Sequence, residues 1–116
     1  MTQNYGITNI NYLKPIKAEE PVILVDVSTL EPTATELVSF IVDFEFGETV
    51  FGFISNDIVV TNGTKSNFVG SGKDYSIEIT PTAFGIVTVD IPLGSAHNRV
   101  GYKNSDGSLS KLFTEV

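Results

Sequence analysis

The stretch VSFIVDFEF, residues 38–46, places Phe40, Val42, Phe44 and Phe46 on one side of an extended chain and Ser39, Ile41, Asp43 and Glu45 on the other. Successive side chains of a strand point to opposite faces, whereas a helix would scatter these aromatics around its circumference. The stretch is therefore a strand whose aromatic face must be covered by a second layer. KDYSIEIT repeats the device, with Tyr75, Ile77 and Ile79 opposite Ser76, Glu78 and Thr80, and GIVTVDIP repeats it again, with Val87, Val89 and Ile91 opposite Thr88 and Asp90.

Weaker runs of the same kind lie at 22–27, 49–53, 57–61, 65–69 and 108–115, separated by Gly and Pro at Pro32, Gly47, Gly63, Gly70, Gly72, Pro81, Gly85, Pro92, Gly94 and Gly107. No window carries a helical stripe. About eight short strands punctuated in this way predict an all-β fold of two antiparallel sheets packed face to face. Phe40, Val42, Phe44, Tyr75, Ile77, Val87 and Val89 are its expected core. Asn62-Gly63, between two runs, has the chemistry of a two-residue type I′ hairpin turn, and Asp106-Gly107 reads as another. The hairpin reading outranks the sugar-acceptor triplet Asn62-Gly63-Thr64.

A chain of 116 residues suits one domain with one core. Residues 1–20 differ from the rest: Asn and Thr are frequent, and Tyr5, Ile7, Ile10 and Tyr12 form neither a helix stripe nor a full strand. They are expected to be an extended arm or linker that needs something to lie on, with the sandwich at 21–116. Seven basic against 14 acidic residues give a net charge of −7, which repels nucleic acid and anionic lipid. Without Cys, neither a disulfide framework nor a thiolate metal site can form. No segment has the length and apolarity of a membrane span, and the start MTQNYGITNINY lacks the basic head and apolar run of an export signal.

The span from Phe46 to Ala96 is more specific than a generic sandwich. It carries Phe46, Glu48, Val50, Gly52 and Phe53; Asp57, Ile58, Val60, Asn62 and Gly63; Phe68, Gly70, Gly72 and Tyr75; Thr80, Pro81, Gly85, Val87, Thr88 and Val89; then Gly94 and Ala96. In this order and spacing the residues resemble the immunoglobulin-like repeat of large bacterial surface proteins. PVILVDVSTLEPTATELVSF, residues 21–40, also fits the first two strands of that family, which extends the resemblance to about residues 21–116. The resemblance implies an immunoglobulin-like β-sandwich acting as a structural or binding module, either as a stalk repeat of an adhesin or as a small phage virion protein decorating a capsid or tail. The family commonly follows Gly-x-Ala with Asp-x-x-Gly-Asn, a segment associated with calcium between repeats. Here Asn98-Arg99-Val100-Gly101-Tyr102 stands in that place, so the charged carboxylate is missing.

Few residues offer chemistry. His97 stands alone, without a Cys or a Ser/His/Asp spacing, and reads as a solvated loop residue. Glu45, Glu48 and Asp57 are weak candidates for a calcium site near the turn after residue 46. Gly70-Ser71-Gly72-Lys73 fails as a phosphate loop, because Asn67 replaces the first Gly and Asp74 follows the Lys. No catalytic set emerges, so the expectation is a non-enzymatic module without a cofactor. Its expected partner is a protein, either a capsid or tail or neighbouring repeats, bound through Tyr5, Ile7, Ile10 and Tyr12, with a host-surface glycan as an alternative ligand. The start at Met1 without an export signal points to the virion surface, the alternative being the bacterial cell surface.

Overall fold

The computed structural model describes residues 21–31 and 33–115. In chain order the strands are β1 (Val25–Ser28), β2 (Thr33–Ala34), β3 (Phe40–Phe46), β4 (Val59–Thr61), β5 (Gly63–Ser71), β6 (Asp74–Pro81), β7 (Gly85–Ile91) and β8 (Gly107–Phe113). One sheet has the order β1-β3-β6-β5 and the other β2-β8-β7-β4. The sheets face each other across the alternating rows read from the sequence. Phe40, Val42, Phe44 and Phe46 of β3, Ile77 and Ile79 of β6, and Val87, Val89 and Ile91 of β7 are buried, while their odd neighbours on β3 are exposed. Removing such apolar area from water stabilises the fold by roughly 1.5–3 kcal/mol per large side chain.

Tyr75 is half-buried rather than fully enclosed, because it joins an aromatic cluster at the end of the core. Phe53 is the hub of that cluster, with Phe44, Phe46, Phe68 and Tyr75 rings at 5.7, 5.1, 5.6 and 5.1 Å, each edge-on. Edge-to-face contact directs ring hydrogens at a neighbour's π face, which adds to simple burial. Burial in this setting raises the Tyr75 hydroxyl above its ordinary pKa.

Asn62-Gly63 does not make the predicted hairpin. β4 pairs with β7 in one sheet, whereas β5 pairs with β6 in the other, so the chain changes sheet at this corner. Asn62 takes the left-handed conformation at φ 61°. Its Nδ2 donates to Ala83 O at 2.9 Å, and its own carbonyl accepts Thr82 N–H at 3.0 Å, which fastens the loop between β6 and β7. Gly63 has ordinary φ, but a Cβ there would lie 3.1 Å from Thr80 O and 3.2 Å from Ile79 Cγ2. Its role is close approach rather than backbone freedom. The two-residue hairpin lies at Gly72-Lys73 instead, where Gly72 supplies φ 67° between Ser71 and its partner Asp74.

Three further expectations change. Residues 49–53 form no strand; Phe51 makes a single bridge to His97, with hydrogen bonds of 2.7 and 3.1 Å, because this segment caps the end of the sandwich. Asp106-Gly107 is not a turn: Gly107 opens β8 opposite Ile91, and it is tight against Val25 Cγ1, 2.9 Å from where a Cβ would sit. The second sheet is not wholly antiparallel, since β2 runs parallel to β8, pairing Thr33 with Leu112. After Ser28 the chain leaves β3 and crosses to the other sheet, and this crossing fixes the direction of β2.

Candidate functional site

The sandwich has two poles. At the first, the chain enters from Pro21 and Ile23 donates to Lys103 O at 3.0 Å, while Ser105 N–H reaches Ile23 O at 2.8 Å. The long loop between β7 and β8 folds back here on two amide side chains. Asn104, fully buried, accepts Ala96 N–H on Oδ1 at 2.7 Å and donates from Nδ2 to Ser105 O at 2.6 Å and Pro92 O at 3.3 Å. Buried loop backbone must find partners, and one Asn serves three of these groups.

Asn98 closes the tip of the same loop. Its Oδ1 accepts Val100 and Tyr102 N–H at 3.1 and 2.9 Å, and its Nδ2 donates to Glu48 Oε1 at 3.2 Å. A carboxylate at position 98 would face Glu48 with like charge, so the neutral amide matches its surroundings.

The three weak calcium candidates are not brought together. Glu45 takes Lys73 Nζ at 2.8 Å, Glu48 takes the Asn98 amide, and Asp57 Oδ2 accepts Ile54 N–H at 2.8 Å to close the 3₁₀ turn Ser55–Asp57. Among the described residues there is no group of three His, Asp or Glu side chains placed to hold a metal ion. The Lys73 hydrogen bond and charge hold the Glu45 carboxyl below its ordinary pKa, and the Glu45 hydrogen bond, with the charges of Asp74 and Glu45, raises Lys73. Asp26, Glu45 and Asp74 lie opposite one another across β1, β3 and β6, forming an acidic row on the outer face that Lys73 partly neutralises.

His97 is exposed, its ring tilted 6.1 Å from Phe51. Phe51, bonded to His97, and Phe84, beside the Gly85–Phe113 pair, are both exposed but sit at opposite poles and do not form a paired stacking platform. Tyr5, Ile7, Ile10 and Tyr12 lie outside the described residues.

At the second pole a groove of about 570 Å³ opens between the crossing after β1 and the start of β3, lined by Leu30, Val38, Phe40 and Ile41, with Glu31, Asp43 and Lys111 also in its walls. Lys111 occupies an inward position of β8, opposite Val87 and only 5% exposed. Its Nζ donates to Glu31 O at 2.6 Å and lies 5.0 and 5.7 Å from the Phe40 and Phe113 ring centres. A cation at a core position is unusual unless paired. The sequence reading missed it, although the parity of SLSKLF, with Leu109 and Phe113 inward, puts Lys111 in the same row.

Residues 17–114 match the family described as Bacterial Ig-like domain. The chain belongs to the bacterial Ig-like domains. The match begins four residues before the predicted start of the sandwich at 21 and spans both poles. No curated protein and no solved structure matches. Bacterial Ig-like domains are commonly extracellular or surface-exposed, as a structural or binding module would be. Among the described residues of this Ig-like domain, no helix is long and apolar enough to cross a membrane.

Proposed function

We propose that the sandwich is a non-enzymatic module projecting from a larger assembly, held there by residues 1–20 through Tyr5, Ile7, Ile10 and Tyr12, and that this assembly is the surface of a phage virion, at the capsid or tail. The observation that carries this reading over a calcium-linked repeat is the loop at Asn98. Its side chain is spent on Val100, Tyr102 and Glu48, so the place where the resemblance implies a calcium carboxylate holds an engaged, uncharged amide. A net charge of −7 disfavours nucleic acid and anionic lipid and leaves protein as the favoured partner class.

An adhesin stalk repeat is the second reading, and one observation favours it. The chain enters at the Ile23–Asn104 pole, while Thr114 N–H reaches Ala34 O at the other, which is the arrangement that end-to-end stacking needs.

Two measurements separate the readings. A chain lacking residues 1–20, and a full chain with Tyr5, Ile7, Ile10 and Tyr12 changed to Ser, should keep the melting temperature of the parent but lose co-sedimentation with purified particles. Undiminished sedimentation would end the anchoring idea. Calcium should leave the melting temperature of the full chain unchanged, whereas a rise through binding linkage would favour the stalk repeat.

A further inference from the structure

β1 accompanies β3 only as far as the pairing of Ser28 with Asp43. Phe46 N–H bonds Lys73 O on the β6 side, and Gly47 N–H bonds Leu24 O on the β1 side. Backbone groups alternate along a strand, so Ile41 directs its N–H and C=O toward the line that β1 has vacated. Thr29 Oγ1 reaches Ile41 O at 2.8 Å, but among the described residues neither the β1–β3 pairing nor a loop carbonyl gives the Ile41 N–H an acceptor. Leu30, 96% exposed, and Val38 flank this open edge. Lys111 lines the same groove with its buried ammonium, which carries three N–H donors, and among the described residues its one oxygen partner is the Glu31 carbonyl.

An open strand edge calls for an extended peptide, and a shielded cation calls for a carboxylate. We propose that the groove takes an extended segment of a partner protein bearing an Asp or Glu side chain. The segment runs on from β1 along β3, pairs its backbone with Ile41, rests apolar side chains on Leu30 and Val38, and brings its carboxylate to Lys111. Main-chain pairing supplies affinity, and the acid supplies selectivity. The assignment is independent of the virion reading, because neither residues 1–20 nor Asn98 enters it.

The test is a titration of the full chain with the capped peptide Ac-Thr-Val-Glu-Val-Thr-NH2 and its Gln twin, followed by amide and lysine-ammonium NMR shifts. The Glu peptide should shift Leu30, Ser39, Ile41 and Lys111 and bind about tenfold tighter than the Gln peptide, the worth of one charge-assisted hydrogen bond. Lys111→Met, which keeps the unbranched stem and so the packing on Phe40, should reduce the Glu peptide to the Gln level. Equal binding of the two peptides, shifts confined to other surfaces, or no binding at millimolar peptide would overturn the proposal. So would slow exchange of the Ile41 amide in the peptide-free protein, which would mean that the chain itself, or a second copy, fills the groove.

Discussion

At the pole where the chain enters, Asn98 and Asn104 gather the loop backbone onto enclosed amides, whereas at the pole where it leaves, Phe40 and Lys111 line a groove beside exposed Leu30 and Val38. Both poles end the same strands. The first meets the demand of buried N–H and C=O groups from within, and its two buried amides are spent on the loop backbone and Glu48. The second leaves a strand edge and an ammonium incompletely met within the described residues. A satisfied pole is a structural cap, and an unsatisfied one is where a partner gains most.

The sharpest way to break this contrast is to remove the cap. Asn104→Ala strands the Ala96 N–H and the Pro92 and Ser105 carbonyls in a buried place, and should cost about 3 kcal/mol in urea unfolding. A loss below about 1 kcal/mol would show that water replaces the amide and that the cap is not closed.

Asn98→Asp tests the tip of the same loop. The new carboxylate still accepts from Val100 and Tyr102, but it meets Glu48 instead of donating to it, and about 1 kcal/mol should be lost at neutral pH. Most of the loss should return in the double variant with Glu48→Gln.

Lys111→Met probes the other pole and should move the opposite way. Replacing a buried cation with an apolar chain of similar shape should leave stability unchanged or raise it by roughly 1 kcal/mol. A loss of more than that would mean that the Glu31 carbonyl and the two rings already complete the lysine, and the poles would no longer differ.

The smallest expected effect is on the exposed pair at Lys73 and Glu45. Because the folded carboxyl titrates below its ordinary value, the contribution of Glu45 is present above about pH 4.3 and is lost as pH falls through the lower folded pKa. The raised Lys73 contributes below about pH 10.4 and is lost as pH climbs through its higher folded value. Lys73→Met should bring the Glu45 titration, read by carboxyl NMR shifts, up toward the ordinary glutamate range. An unmoved midpoint would assign the depression to another cause.

β3, β6 and β7 were legible because their alternation is strict over a whole strand, and the period by itself sets the inward row from Phe40 to Phe46. Asn62-Gly63 was misread for a physical reason. A left-handed Asn and a residue without Cβ suit a hairpin and a corner equally, and the choice depends on β6 and β7, some twenty residues further along the chain. The two-residue parallel strand β2 carries no periodicity that a sequence can display. Residues 49–53 look like a strand because Val50 and Phe53 must be buried, but they are buried under a cap. Lys111 was within reach of parity alone. The open edge at Ile41 was not, because it exists only where β1 departs.

Amide hydrogen exchange of the full chain, free of any partner, addresses the contrast between the poles most directly. The Ala96 amide, bonded to the enclosed Asn104 side chain, should exchange only through global unfolding, while the Ile41 amide should exchange faster by orders of magnitude, without unfolding. Equal protection of the two amides would contradict the account, because the second pole would then be as closed as the first.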